Sequence, residues 1–300
     1  MRSSSHVGSK DGDLAGPKAE KPRRDHGGGE NELLVIGLGS KGPAGITLEA
    51  RKALEGTDVV IGYKLYIEQA EPWLSERTKR VSSVMTEEIK RAEEALETAV
   101  NTGGRIAIVS GGDPGLYAMA GVVYELAASK KIPLGKGKGK LRIRVIPGTP
   151  ALVAGAALLG APITHDFCTI SLSDRLTEWD LIKKRLILAS QSDFVIVIYN
   201  PKSYGRTWQL GEAKMLLLDN LKVTTPVGIC SKLGRHGEKA RIVTLRELEP
   251  DDIDMQTILI VGNSTTFVYD GCMITPRGYV KKYGPGRPHQ GEDDGEPDEA

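Results

Sequence analysis

The sequence predicts an α/β protein built from two domains. Its 300 residues are enough for two medium-sized domains. Along most of the chain, short apolar runs typical of buried strands alternate with segments of helical spacing, as in sheets covered by helices. The pattern shifts near Pro162, which predicts an N-terminal domain over 31–162 and a C-terminal domain over 163–283.

The N-terminal half contains four predicted strands and four predicted helices. The strands are Glu32–Gly37, Asp58–Tyr63, Arg105–Val109 and Leu141–Ile146. The helices are Thr47–Leu54, Thr86–Asn101, Gly115–Ser129 and Ala151–Leu159. The helix that begins at Thr86 has the clearest signal, because a capping residue and a first turn rich in acids precede apolar residues at helical spacing. Its predicted buried face is Ile89, Ala92, Leu96 and Val100.

The C-terminal half continues the alternation with more strands than helices. The strands are Phe167–Leu172, Phe194–Tyr199, Val227–Ser231, Arg241–Thr244 and Thr257–Val261. The helices are Glu178–Ala189 and Thr207–Asn220. Because helices separate most strands along the chain, we expect mostly parallel sheets in both halves.

Both chain ends are predicted to be disordered. Residues 1–30 contain only five hydrophobic side chains, too few to offset the entropy lost on ordering. Residues 284–300 are similarly poor in apolar residues and hold six acidic residues against one basic residue. The formal net charge of +1 therefore hides a mildly basic body, with 33 Lys and Arg against 28 Asp and Glu over 31–283.

Composition argues against several classes of protein. No apolar run reaches the roughly 18–20 residues that span a bilayer, and the polar N-terminus lacks the apolar core of a secretory signal. Cys168, Cys230 and Cys272 form no CxxC motif, so we expect no disulfide framework and no metal site, and the cytoplasm is the expected compartment. The basic excess is also far below that of a nucleic-acid-binding protein.

Glycine-containing turns follow three of the four N-terminal strands. Residues 37–42 read GLGSKG, residues 110–117 read SGGDPGLY and residues 146–151 read IPGTPA. Ligands bind at the carboxyl ends of strands in open α/β sheets, and glycine lets the backbone approach them closely. The first turn matches a dinucleotide motif, but the second strand ends in Tyr63 without the acid that binds ribose. For Asp113 we favour a contact with the ligand, and an N-cap of the following helix is the alternative.

Further candidates lie in the second half. The run NPKSYGR at 200–206 follows a strand, and Lys202 and Arg206 would point into a crevice, where arginine suits a carboxylate ligand. The neighbours His165 and Asp166 would face opposite sides of a strand and form a poor dyad, although either could transfer a proton in a cleft. A surface loop is the alternative interpretation of the run at 200–206.

In this order, the motifs resemble the tetrapyrrole methylase family, the class III S-adenosylmethionine (SAM) methyltransferases. The resemblance covers about residues 32–280 and rests on the glycine turn, on GDPxxY at 112–117 and on IPG at 146–148. The runs HDFCTISLSD, YNPKSYGR and MITPRGY, starting at residues 165, 199 and 273, are similar to members that methylate ring carbon 17 of precorrin-3B or cobalt-precorrin-3 and contract the macrocycle.

The resemblance implies two α/β domains with SAM in the cleft between them, a homodimer, a role in cobalamin biosynthesis, and neither nucleic acid nor membrane as partner. Predicted cofactor contacts are Gly37, Gly39, Gly111, Gly112, Asp113, Leu116, Tyr117, Pro150, Ala151, Asn200, Leu233, Gly234 and Gly262. Candidate acid–base groups are Asp113, His165 and Asp166. Candidate ligands for the tetrapyrrole carboxylates are Lys202, Arg206 and Arg235.

One departure and three alternatives stay open. The family's first turn usually reads GxGPGD, whereas this chain has Ser40, Lys41 and Gly42, so the usual carboxylate is absent or supplied elsewhere. One alternative is a family member with another substrate, such as a diphthine synthase or an rRNA methylase, which MITPRGY argues against. The others are a nicotinamide-dependent oxidoreductase, disfavoured by the missing acid, and a non-catalytic binding module, disfavoured by the repeated glycine turns.

Overall fold

The computed structural model describes residues 31–84 and 87–284, so the predictions for residues 1–30, for the cap at Thr86 and for the acidic tail beyond Gly284 lie outside the described residues. The strands are β1 Asn31–Gly37, β2 Val59–Tyr63, β3 Lys79–Ser83, β4 Arg105–Ser110, β5 Leu141–Ile146, β6 Gly160–Ala161, β7 Phe167–Ser171, β8 Val195–Tyr199, β9 Pro226–Ser231, β10 Lys239–Thr244, β11 Thr257–Val261, β12 Phe267–Tyr269 and β13 Cys272–Ile274. The helices are α1 Leu48–Glu55, α2 Lys64–Ala70, α3 Glu88–Thr102, α4 Met119–Ser129, α5 Ala151–Leu159, α6 Trp179–Gln191, α7 Gln209–Leu218 and α8 Tyr279–Tyr283.

The first sheet is fully parallel and has the strand order β3-β2-β4-β1-β5. Alternate residues of β1 serve two cores. Leu33 and Val35 pack with apolar residues of α3 and α4 on one face, and Leu34 and Ile36 pack with those of α1 and α2 on the other. The four predicted strands of this half are confirmed. The edge strand β3 (KRVSS) was not predicted, because it carries no apolar run.

The second sheet has the order β10-β9-β11-β8-β7, and the prediction that it is mostly parallel is wrong. Only β7 and β8 pair in parallel, while the β8–β11, β11–β9 and β9–β10 pairs are antiparallel. The connection between β9 and β10 spans only 232–238. Such a short segment allows a hairpin but not the crossover that parallel neighbours need.

Helix α5 packs on the second sheet, although the sequence assigns it to the first domain. Leu152, Ala156 and Leu159 share a buried cluster with Val197 and Ile260. The domain boundary at residue 162 stays a prediction, and α5 is the element that connects the two large sheets along the chain. A third, small sheet has the order β12-β13-β6.

Two helices differ in detail from the sequence prediction. The face that α3 buries contains Arg91 and Ala95, whereas Ile89 is 62% exposed. Helix α4 begins at Met119 rather than Gly115, because Tyr117 has φ +52°, a left-handed backbone that ends the preceding turn. No helix in the described part of the chain is both long and apolar enough to cross a membrane.

Candidate active-site cleft

A cleft of about 770 Å³ lies between the carboxyl-end turns of the first sheet and loops of the second half. From the first half it is lined by the turns that follow β1, β4 and β5, by Tyr63 at the end of β2, and by residues of α2, α3 and α4. From the second half it is lined by Tyr199 and Asn200 after β8, by 232–235 after β9 and by 255–258 around the start of β11.

The turns after β1, β4 and β5 form one platform through backbone hydrogen bonds. Gly39 N donates to Gly112 O at 3.0 Å, and Ser40 N donates to Thr149 O at 2.9 Å. Gly37 and Gly148 lie beneath the platform, where a Cβ on Gly37 would be 2.5 Å from Gly112 O and one on Gly148 would overlap the same oxygen. These two glycines are therefore required for the turns to pack together.

Asp113 links two of these turns and lines the cleft. Its Oδ1 accepts a hydrogen bond from Gly115 N at 2.8 Å, and its Oδ2 accepts one from Gly148 N at 3.2 Å. The alternative, that it caps α4, does not hold, because the carboxylate closes a turn that ends before the helix begins at Met119. Of the three acid–base candidates, only Asp113 lines the cleft.

The two halves touch at one rim of the cleft through a pair of glycines. Gly42 and Gly234 both have left-handed φ angles, +63° and +68°. A Cβ on Gly42 would lie 2.5 Å from Gly234 O, and one on Gly234 would overlap the backbone of Lys41 and Gly42. In this chain, the turn that departs from the family's usual GxGPGD therefore contacts the second half through the backbone of Gly42.

Two tyrosines connect the halves inside the cleft. The Tyr117 hydroxyl donates to Thr169 O at 3.0 Å, and the Tyr199 hydroxyl accepts from Leu152 N at 3.0 Å. Their ring centroids are 5.2 Å apart. The Tyr117–Thr169 hydrogen bond and the ring contact hold one wall of the cleft against the other, whereas Tyr199–Leu152 joins β8 to α5 within the second wall.

The buried phenol of Tyr199 predicts a specific loss of stability at alkaline pH. Burial raises the pKa of Tyr199 to about 12, so the folded state holds this proton more tightly than the unfolded state, whose tyrosines titrate near pH 10. The resulting stability is complete below about pH 10 and is lost as the pH rises towards about 12. Between these values, we expect the urea-unfolding free energy of the wild type to fall more steeply than that of Tyr199→Phe. Parallel slopes would contradict this assignment.

Most predicted cofactor contacts come together in the cleft. Those that line it are Gly39, Gly111, Gly112, Asp113, Leu116, Tyr117, Pro150, Ala151, Asn200, Leu233 and Gly234. Arg235, a predicted substrate ligand, lines it as well. The structure places Gly37 and Gly262 elsewhere: Gly37 lies beneath the platform, and Gly262 is buried in a tight turn where a Cβ would be 2.7 Å from Thr266.

Four predicted charged or titratable side chains do not line the cleft. Arg206 is only 7% exposed and donates to Leu172 O at 3.0 Å and to Asn200 O at 2.6 Å. Burial lowers its pKa. Lys202 donates to Pro250 O at 3.1 Å, which directs its ammonium to a neighbouring loop. Both side chains are engaged in holding loops of the second half.

His165 and Asp166 are exposed and lie outside the cleft lining. The backbone N–H of Asp166 donates to His165 Nδ1 at 2.7 Å, so the imidazole is occupied by a local contact. The structure does not bring either side chain to the other candidate site residues.

Sequence reasoning missed several residues that line the cleft. Tyr63, Tyr66, Arg91, Met119 and Lys232 all belong to it. Tyr66 lies against Gly111, where a Cβ would be 2.8 Å from the ring. These side chains follow no glycine motif, and only their position in the folded chain reveals them.

Comparison with known proteins agrees with this geometry. The family model described as Tetrapyrrole (Corrin/Porphyrin) Methylases matches residues 32–249, which is more than half of the chain. The chain belongs to the tetrapyrrole methylase family. The resemblance and the fold class predicted from the sequence are therefore confirmed.

Curated relatives within the tetrapyrrole methylase family carry related names. The chain is 45% identical over 267 residues to "Cobalt-factor III methyltransferase" of Priestia megaterium, covering 87% of this chain but only 48% of that protein. It is 43% identical to "Probable cobalt-factor III C(17)-methyltransferase" of Salmonella typhimurium, covering 83% of this chain and 99% of that protein. It is 39% identical to "Precorrin-3B C(17)-methyltransferase" of Sinorhizobium sp, covering 83% and 97%. It thus spans about half of the first relative and nearly all of the other two.

Solved structures of tetrapyrrole methylases share the fold. The methyltransferase CobJ aligns with a TM-score of 0.76 at 32% identity, over 83% of this chain and all of that chain. A uroporphyrin-III C-methyl transferase from Thermus thermophilus, complexed with S-adenyl homocysteine, aligns with a TM-score of 0.58 at 17% identity, over 77% and 97%. The second likeness concerns the fold alone.

Proposed function

We propose that this protein is a SAM-dependent C-methyltransferase of cobalamin biosynthesis that methylates ring carbon 17 of precorrin-3B or cobalt-factor III, with contraction of the macrocycle. The observation that carries the proposal is the match over 99% of the Salmonella relative at 43% identity. The cleft supplies a site of suitable size, because small-molecule sites are typically about 300–1,000 Å³.

The residues of the cleft fit SAM. Gly112 has φ +64°, and a Cβ there would lie 3.2 Å from Ser40 Oγ, so only glycine keeps this turn both open and unstrained. We assign the platform turns, with Gly111, Gly112 and Asp113, to one side of the cofactor and Leu233 with Gly234 to the other. When bound, SAM supplies a methyl group already activated by its sulfonium.

The chain's contribution to the reaction is placement of the reacting carbons. Methyl transfer to carbon needs the two atoms held in line at about 3–3.5 Å. The Tyr117–Thr169 hydrogen bond joins the two walls that would hold cofactor and substrate, and the Tyr199–Leu152 hydrogen bond orders the second of them. Asp113 is the acid–base candidate of this proposal, because it alone of the three candidates lines the cleft.

Charge and surface features support the remaining parts of the proposal. Lys232 and Arg235 line the cleft and complement a substrate with several carboxylates.

Phe267, Val268 and Tyr269 on β12 are each at least 45% exposed and offer an apolar surface for a second copy of the chain. We propose a homodimer in the cytoplasm.

An anaerobic assay tests the function. The purified protein is incubated with SAM and, separately, with precorrin-3B, cobalt-factor III and uroporphyrinogen III. We expect a singly methylated product with a changed absorption spectrum from precorrin-3B or cobalt-factor III, and none from uroporphyrinogen III. Methylation of uroporphyrinogen III alone would assign another family substrate.

Ligand-dependent melting separates the methyltransferase from an oxidoreductase. S-Adenosylhomocysteine at a hundred times its dissociation constant is expected to stabilise the fold by about 2.7 kcal/mol, and NAD at the same concentration is expected to have no effect. Stabilisation by NAD but not by S-adenosylhomocysteine would contradict the proposal.

A further inference from the structure

Arg91, near the start of α3, is a buried cation that lines the cleft. The residue as a whole is only 5% exposed. Nε donates to Ser83 Oγ at 2.7 Å, Nη2 donates to Val84 O at 2.8 Å, and Nη1 donates to Met119 Sδ at 3.7 Å. All three acceptors are neutral, and the sulfur is a weak one.

None of the ion pairs formed within residues 31–84 and 87–284 involves Arg91. Glu68 and Glu88 also line the cleft, but neither pairs with it. A buried arginine is normally paired, because loss of hydration costs several kcal/mol per ion, of which neutral acceptors return only part. Arg91 is therefore a buried cation at this wall of the cleft, and its hydrogen bonds within the described residues all go to neutral atoms.

The guanidinium also retains unused donors. It has five N–H groups, and the three contacts above use one on each nitrogen. One N–H remains on each terminal nitrogen. Such a pair suits the two oxygens of one carboxylate, in a fork that a lysine ammonium does not form.

We propose that Arg91 binds a carboxylate of a ligand inside the cleft. The proposal rests on the proposed function for the source of this group, since both SAM and the tetrapyrrole carry carboxylates. Of the three cations predicted for this task, only Arg235 lines the cleft, because Arg206 and Lys202 are directed to backbone carbonyls of the second half. Arg91 supplies positive charge from the first half, and Lys232 and Arg235 line the same cleft from the second half.

Binding measurements on Arg91→Met test the proposal without requiring turnover. Three probes are titrated by calorimetry or absorbance: S-adenosylhomocysteine, 5′-methylthioadenosine, which lacks the carboxylate, and cobalt-factor III. Loss of a charged hydrogen-bond pair corresponds to an affinity about 10- to 100-fold weaker. If the cofactor carboxylate is the ligand, S-adenosylhomocysteine weakens by this factor and 5′-methylthioadenosine does not. If the substrate carboxylate is the ligand, only cobalt-factor III weakens.

Two control variants separate binding from support of the fold. Ser83→Ala removes one acceptor of Arg91 but leaves the cation, so we expect affinities within twofold of the wild type. Arg80 lies on β3, as Ser83 does, and forms an ion pair with Glu71 at 2.7 Å. Arg80→Met therefore removes an arginine close in sequence to Ser83, and we expect no change in ligand affinity. If Arg91→Met does not fold, Arg91→Lys provides the test, because it keeps the positive charge but replaces the forked guanidinium by an ammonium. We then expect the affinity for one of the two carboxylate ligands to fall at least fivefold.

The outcomes distinguish this inference from the proposed function. Unchanged affinities in folded Arg91→Met, or in Arg91→Lys where the former does not fold, overturn the role of Arg91 alone. Equal weakening of all three probes also overturns it, because 5′-methylthioadenosine has no carboxylate to lose. A wild-type protein that binds neither S-adenosylhomocysteine nor cobalt-factor III overturns the proposed function, and this inference with it.

Discussion

Replacing Gly148 by valine is expected to abolish S-adenosylhomocysteine binding and to destabilise the protein by about 3 kcal/mol or more. Gly148 is buried between the turns that follow β1, β4 and β5. A Cβ there would overlap Gly112 O and lie 2.7 Å from Gly37 O and Gly39 N. Because all three contacts are backbone atoms, no side-chain rotation relieves the clash, and the turns must separate.

The matched control for Gly148→Val is Gly121→Ala. Gly121 lies within α4, and no atom lies within 4 Å of an added Cβ. Alanine in a helix is expected to add about 1 kcal/mol of stability, and binding is expected to stay unchanged. Urea unfolding and calorimetric titration of both variants provide the measurement. Wild-type affinity in Gly148→Val would mean that the three-turn platform does not form a wall of the cofactor site.

The inner strands of the first sheet were predictable because they are covered on both faces. β1 contributes apolar residues to two separate cores, so its sequence is a continuous apolar run that ends in Gly37. The edge strand β3 has only one neighbour, β2, and its sequence KRVSS carries no such signal. The other edge strand, β5, was nevertheless predicted, because its sequence LRIRVI keeps apolar residues at alternate positions. The lack of such an apolar pattern is thus what hid β3.

Strand direction in the second sheet was not predictable in the same way. The runs of β9 and β11 are as apolar as those of a parallel strand, since α5 and the second-half core cover both faces. What decides direction is the length of the connections, and the short 232–238 segment was the available signal. The insertion of β11 between β8 and β9 depends on pairing over a long distance along the chain, which no local pattern encodes.

The candidate site, like the fold, was predictable only in part. Glycine turns at strand ends predicted the platform, because the need for close backbone approach leaves glycine at fixed places, such as Gly39 and Gly112. Charged side chains gave no comparable signal. Arg91 sits among the apolar positions of α3 and yet lines the cleft, while Arg206 follows a strand end and yet is buried against carbonyls. Whether an arginine meets a ligand or its own backbone is decided by the fold around it.

Arg206→Met is accordingly expected to lower stability and to leave substrate affinity unchanged. Nη1 of Arg206 donates to both Leu172 O and Asn200 O, and the residue is 7% exposed. Methionine keeps much of the volume but donates to neither carbonyl, and each buried acceptor left without a donor costs about 1–3 kcal/mol. We expect a loss of about 2–4 kcal/mol in the unfolding free energy, measured by urea unfolding.

Arg235→Met is the opposite case and serves as the control. Arg235 is exposed and lines the cleft, so its removal is expected to change stability by no more than about 0.5 kcal/mol while raising the KM for the tetrapyrrole. The two variants together separate structural support from ligand binding, because each is expected to move only one of the two quantities. Wild-type stability with a raised KM in Arg206→Met would contradict the structural role and restore Arg206 as a substrate anchor.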